Sequence, residues 1–195
     1  QIVTEAGGTL NGSTSTDRTN YFQTVPANQL ETILWLEADR MGFLLEAVTQ
    51  EKFEIQRSTV KNERGQNVEN RPYGRVYEAL IAALYPSGHP YSWPVIGYPE
   101  DLDAATLDDL RHFFLRWYGP NNAALTIGGD IDPMATLEWV NKYFGVIPAG
   151  PDLENLPKQP GKLEADRHVT LQDNIHLPAL ALIIPTVYAN HADEA

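Results

Sequence analysis

The sequence of 195 residues has no cysteine. Disulfide frameworks and thiolate metal sites are therefore excluded, while the compartment stays open. No apolar run approaches the length of a membrane span. Basic residues are scarce: 14 Lys and Arg stand against 26 Asp and Glu, for a net charge of -12. A nucleic-acid surface needs clustered Lys and Arg, so that class of partner is excluded. The acidic balance suits a soluble protein and weakly favours basic peptides as partners. There is no internal repeat and no low-complexity tract. An initiator Met and a signal-peptide pattern are also lacking at Gln1. The chain opens on Gln1-Ile-Val-Thr and closes on His191-Ala-Asp-Glu-Ala195, and both ends read as cuts inside a longer protein.

What is present is ordinary globular material, 43% hydrophobic and 21% charged. The length suffices for one domain with a real core, or one domain and the start of another. Thr9–Ser15 and Thr19–Val25 are rich in Thr and aromatics, and the spacing predicts two antiparallel strands joined by a tight turn. Leu30, Ile33, Leu34 and Met41 recur at helical spacing, so residues 28–44 are expected to form an amphipathic helix with those side chains in the core. Thr49 suits an N-cap for a second, polar helix over Lys52–Val68. A third starts at Pro72-Tyr-Gly74 and runs to Tyr85. Residues 86–101 read as a loop. Thr106 caps a fourth helix through Trp117, and Gly119-Pro-Asn-Asn122 is a turn. Ala123–Ile127 reads as a strand. Asp132-Pro133 opens a fifth helix to Phe144, with Asp as N-cap and Pro at the first helical position. His168–Leu171 and Leu180–Ile184 read as strands returning to the sheet. The resulting expectation is an α+β fold: a mostly antiparallel sheet with helices packed on one face. Its main body is residues 1–150, followed by a Pro-rich connector, 151–165, and then residues 166–195 as returning strands and the start of the next segment.

Six separated segments share one pattern. They are Gly8-Thr-Leu-Asn11-Gly-Ser-Thr14, Leu36-Glu-Ala-Asp-Arg-Met41, Val60-Lys-Asn-Glu63-Arg, Asn67 to Gly74, Gly88-His-Pro-Tyr91 with Gly97, and Tyr118-Gly-Pro-Asn-Asn-Ala-Ala-Leu125 with Gly129-Asp130. In this order they resemble the pitrilysin/insulinase family of metallopeptidases, the inverted zincins, over nearly the whole chain. The resemblance implies a processing-peptidase-like metallohydrolase fold, truncated here at both ends. It also implies Zn2+ in the intact parent protein and Glu63 as the third zinc ligand. The family's two His and its general-base Glu sit in an H-x-x-E-H helix, and no such motif occurs in this sequence. By the family's spacing it is expected roughly 75 residues before Glu63, upstream of Gln1. No catalytic residue is therefore expected within the chain, and a lone carboxylate does not hold Zn2+ where three protein ligands are the norm.

Gln56 lies seven residues before Glu63, two helical turns along one face. The family often has Glu there; Gln keeps the hydrogen bonding and loses the charge. The resemblance makes Gln56 a supporting residue. It also makes Asn11, Gly12 and Ser13 part of an edge strand to which substrate adds as a further strand. Gly12 stands where the family has Ala. The five histidines carry no metal role: His89 is expected to be structural, His112 lies on a helix, and His168 and His176 flank strands. His191-Ala-Asp-Glu-Ala195 is a near miss for H-x-x-E-H that comes after Glu63 and resembles the start of the family's next helix.

The function expected is that of a fragment of a zinc-dependent metalloendopeptidase acting on extended peptides. Its partners would be the peptide substrate and a second homologous half, in the same chain or in a partner subunit. The alternative is a non-catalytic homologue that serves as partner subunit. Gln56 and the absence of cysteine point to a bacterial setting, with the periplasm as the expected location.

Overall fold

The computed structural model describes residues 1–154, 157, 160–187 and 192. The chain divides into two compact units, one of residues 1–53 with 105–154, the other of residues 54–104 with 155–195.

The first unit begins with a short helix, α1 (Ile2–Glu5), whose Val3 is buried, and then a hairpin of β1 (Thr9–Thr14) and β2 (Thr19–Thr24). The strands are antiparallel, with Asn11 opposite Phe22 and Gly12 opposite Tyr21. They end one residue short of the expected limits. A single 3-10 turn at Ala27–Gln29 leads into α2 (Leu30–Ala47), which buries Ile33, Leu34 and Ala38. α6 (Leu107–Trp117) and α7 (Pro133–Phe144) complete the unit, and α2 packs on α7. Both helix starts follow the local signals. Thr106 and Asp109 form a reciprocal capping box, Asp109 N donating to Thr106 Oγ1 at 3.2 Å and Thr106 N to Asp109 Oδ2 at 2.8 Å. Asp132 Oδ1 accepts from the Met134 and Ala135 amides at 2.8 and 3.2 Å. Glu31 on α2 accepts from Lys142 and from the Tyr143 hydroxyl on α7, at 3.0 and 2.8 Å.

α3 (Gln50–Arg64) runs from the first unit into the second, where it continues as a π-helical turn over Gly65–Glu69. The second unit also holds α4 (Val76–Leu84) and α5 (Pro99–Ala104), the latter a short helix inside the expected loop. The expected helix start at Pro72 is instead a tight turn with Tyr73 at φ 62°. Gly74 is required there, because a Cβ would come within 2.1 Å of the Val68 carbonyl oxygen.

The fold is α+β and helix-rich, with a small antiparallel sheet of two strands among the described residues. This corrects the expectation of a larger sheet. Ala123–Ile127, His168–Leu171 and Leu180–Ile184 join no ladder. A strand exists by virtue of interstrand hydrogen bonds, and an apolar run does not supply its own partner. The side chains stay in water: Leu125 is 48% exposed, and Leu180, Leu182 and Ile184 are 98, 84 and 73% exposed. The expected helix start at 191–195 lies outside the described residues apart from Ala192, as do four residues of the connector. Among the described residues, no helix is long and apolar enough to cross a membrane.

The turn at Gly119 is stapled to the start of the connector. Gly150 N donates to Asn121 Oδ1 at 2.8 Å, and Asn121 Nδ2 donates to the Pro151 carbonyl at 3.1 Å. A Cβ at Gly119 would lie 2.5 Å from Gly150 N, whereas a Cβ at Gly128 meets nothing within 4 Å. Gly119→Ala is expected to cost about 1–3 kcal/mol, as overpacking does. Gly128→Ala should be near neutral. Urea unfolding of the two variants checks the contrast.

Candidate functional site

The candidate residues fall into two groups, one in each unit. In the first unit the hairpin fixes which backbone groups of β1 are free. Ser15 N donates to the Arg18 carbonyl at 2.8 Å, so Ser15 and Arg18 form a hydrogen-bonded pair. Antiparallel alternation then makes Ser13–Asn20, Asn11–Phe22 and Thr9–Thr24 hydrogen-bonded pairs. The N–H and C=O groups of Leu10, Gly12 and Thr14 point instead to the outer edge. A second observation agrees: Gly12 N donates to the Asn11 side-chain oxygen at 2.8 Å rather than to β2. All six residues of β1 are exposed. Of the three predicted substrate residues, Gly12 thus turns its backbone to the open edge, and Asn11 shields that amide with its side chain. The backbone groups of Asn11 and Ser13 are engaged in the hairpin. Sequence reasoning missed Leu10 and Thr14; the alternation of hydrogen bonds was the missing signal, and it depends on the turn.

The opposite face of the hairpin meets α2. Tyr21 and Gln23 lie two apart on β2 and share that face with Gly12 and Leu10. The Tyr21 and Tyr118 hydroxyls share a hydrogen bond of 2.7 Å. Burial, and then that hydrogen bond, pushes the Tyr21 phenol up to about 12.

In the second unit, Gln56 and Glu63 both lie exposed on α3, two turns apart, and neither side chain has a hydrogen-bond or ion-pair partner among the described residues. Arg64, the next residue, has the opposite environment. It is 5% exposed. Its Nη1 donates to Glu78 Oε1 at 2.5 Å and to the Gly97 carbonyl at 2.9 Å, and Nη2 donates to Glu78 Oε2 at 3.2 Å. Its Nε lies 3.4 Å from Glu69 Oε1. The helix end is thereby fixed in rotation, and Glu63 is held outward by its neighbour. The π-helical turn follows at once, a feature frequent at functional sites. Sequence reasoning did not single out Arg64, because only the distant Glu78 makes its burial tolerable.

No group of three or more His, Asp or Glu that could hold a metal occurs among the described residues. One exposed carboxylate is a quarter of a tetrahedral site. The described residues therefore do not by themselves offer a donor set that fits a zinc ion.

A family model described as the peptidase M16 inactive domain matches residues 104–195. Over its whole length the chain is 31% identical to the zinc protease PqqE of Helicobacter pylori, of which it spans 44%. The chain belongs to the M16 peptidase family. A crystal structure of a protease from Helicobacter pylori superposes on 80% of this M16 chain with a TM-score of 0.72 at 32% identity, using 37% of that chain. The probable zinc protease PqqL of Escherichia coli is 27% identical over 76% of the chain and 16% of its own length. The structure of PqqL, described as a periplasmic protease, shares the fold at a TM-score of 0.63 and 21% identity, over 77% of this chain and 17% of that one. The M16 chain thus spans less than half the length of these relatives.

Two outcomes follow from this geometry. Arg64→Ala leaves Glu78 uncompensated and is expected to cost about 3–5 kcal/mol, as breaking a buried ion pair does. Arg64→Lys recovers only part, because one ammonium replaces a bidentate fork; thermal and urea unfolding test both. The raised Tyr21 phenol favours the folded state below the unfolded value of about 10, and that contribution is lost as pH rises through the folded value. Tyr118→Phe should move the Tyr21 titration down toward 10, read from the ring Cζ shift in a labelled sample.

Proposed function

We propose that this chain is part of a zinc-dependent metalloendopeptidase that hydrolyses extended peptides. In this reading Glu63 contributes the third metal ligand, Gln56 supports it along the same face of α3, and the remaining ligands and the general base come from residues outside this sequence. Zinc in such a site acidifies a bound water to near neutrality. The observation that carries the reading is the contrast between neighbours: Arg64 is buried and bonded bidentately to Glu78, while the Glu63 carboxylate beside it is exposed and without a partner among the described residues. The names of the relatives, zinc proteases, agree with it.

The open edge of β1 suits a substrate strand. It offers Leu10, Gly12 and Thr14 main-chain groups, which read a peptide by its backbone and so tolerate varied side chains. The Asn11 oxygen that now accepts from Gly12 N must turn away when the substrate pairs there, and is then free to bond the peptide. A second homologous half, in the same chain or in a partner subunit, would complete the substrate chamber. The periplasm is the proposed location, supported by the description of PqqL.

A second reading is a non-catalytic partner subunit. It draws on the description of the matched model as an inactive domain and on the incomplete donor set among the described residues. One experiment separates the two. In the protein at its full encoded length, zinc per chain and cleavage of an unstructured peptide are measured with and without Glu63→Gln. Loss of a residue that merely supports a ligand already costs 10–100-fold, so loss of the ligand itself is expected to cost about 100-fold or more in activity, with a fall in bound zinc. Unchanged zinc and activity would remove Glu63 from the site. A wild-type protein that binds no zinc and cleaves nothing would favour the second reading.

A further inference from the structure

Two of the sequence segments that the proposed chemistry leaves unused meet β2 in one place in the first unit. Leu36-Glu37-Ala-Asp-Arg40-Met41 lies on α2, Tyr118 follows α6, and Tyr21 and Gln23 lie on β2. Glu37 is the hub. Its Oε1 accepts from Gln23 Nε2 at 2.5 Å, and its Oε2 accepts from Arg40 Nε at 3.1 Å and Nη2 at 2.5 Å. The Arg40 guanidinium then lies over the Tyr21 ring, 3.8 Å from its centroid. Tyr21 in turn bonds Tyr118, whose ring stacks on the buried Phe114 at 4.8 Å. The Glu37 and Arg40 side chains are only 15 and 26% exposed, so water screens their pairing little.

From this arrangement we infer that Glu37 is the positioning residue of the edge strand. Both β2 side chains that face α2 in this network are held through it, Gln23 directly and Tyr21 through Arg40. β1 has no hydrogen-bonded neighbour other than β2 among the described residues. The place of the Gly12 amide is therefore set by β2, and the place of β2 by the Glu37 carboxylate. A planar carboxylate with both oxygens engaged fixes direction as well as distance, which a packed apolar residue in its place would not. The inference rests on the proposed pairing of substrate with β1. Glu37 itself touches no substrate.

The test uses the full-length protein with Glu37→Ala, Glu37→Gln and Glu31→Gln. The last takes the charge out of the α2 ion pair with Lys142 on α7 and leaves β2 alone, so it reports general loosening of α2. Amide hydrogen exchange is read at Asn11, Ser13 and Phe22, the amides of the hairpin ladder. Glu37→Ala should speed their exchange about tenfold while the α7 amides keep theirs. For an extended peptide, KM should rise about tenfold with a smaller change in kcat, and Glu37→Gln, which keeps one acceptor oxygen for Gln23, should recover part of it. Unchanged hairpin exchange in Glu37→Ala overturns the inference. So does a looser hairpin with an unchanged KM, or an equal effect from Glu31→Gln. Wild-type protein that cleaves no peptide overturns the proposed function instead, and the exchange data then decide alone whether Glu37 fixes the strand.

Discussion

A guanidinium removed from water must be met by carboxylates, and this requirement organises the second unit. Arg64 is among the most buried residues described, yet it carries a full charge. It is tolerable only because Glu78 from α4 grips it bidentately, the Gly97 carbonyl accepts one further hydrogen bond, and Glu69 approaches from the π-helical turn. Two helices, a turn and a loop are thereby referred to one side chain. The cost of stripping water from these ions is large, and such a pair often adds little net stability over an apolar replacement. What it adds is direction. One angular step along α3, Glu63 faces the solvent with no ion-pair partner among the described residues.

The first unit reaches a similar end by a different route. Its proposed substrate surface is the edge of a two-stranded ladder, a structure of marginal stability alone. Support comes from the face rather than from further strands. A half-buried acid, a stacked arginine and two tyrosines tie β2 to α2 and to the end of α6. On the opposite face of the ladder Asn11, Ser13 and Phe22 are exposed and Asn20 is half-buried. Both units therefore keep an ionic knot next to, and not within, the groups proposed to meet the ligand.

Much of this was legible in the sequence where the signal is local. Thr106 with Asp109, and Asp132 with Pro133, announce helix starts because their hydrogen bonds close within three residues. The hairpin was legible from its composition and tight turn, and the segment around Glu63 from its resemblance to a family. The rest was hidden because it depends on distant partners. Nothing near Arg64 in the sequence names Glu78, and nothing near Leu180 says whether a neighbouring strand will be there to receive it. Apolar runs at Ala123–Ile127, His168–Leu171 and Leu180–Ile184 carry strand-like composition without a ladder. Composition states what a segment would do if paired; it does not supply the pair.

The last of these runs has a practical consequence. Between Pro178 and Pro185 the sequence is Ala-Leu-Ala-Leu-Ile-Ile, with no charge and no interior proline. Its alternate residues Leu180, Leu182 and Ile184 are those left most open, which is the period of one face of a strand. Such a hexamer is a seed for intermolecular stacking. The two flanking prolines cannot donate to a ladder and so limit how far one copy can zip onto the next. Handling of the purified polypeptide therefore turns on salt: long-range repulsion between acidic surfaces keeps molecules apart in dilute, low-salt buffer, and salt that screens it lets these exposed segments meet.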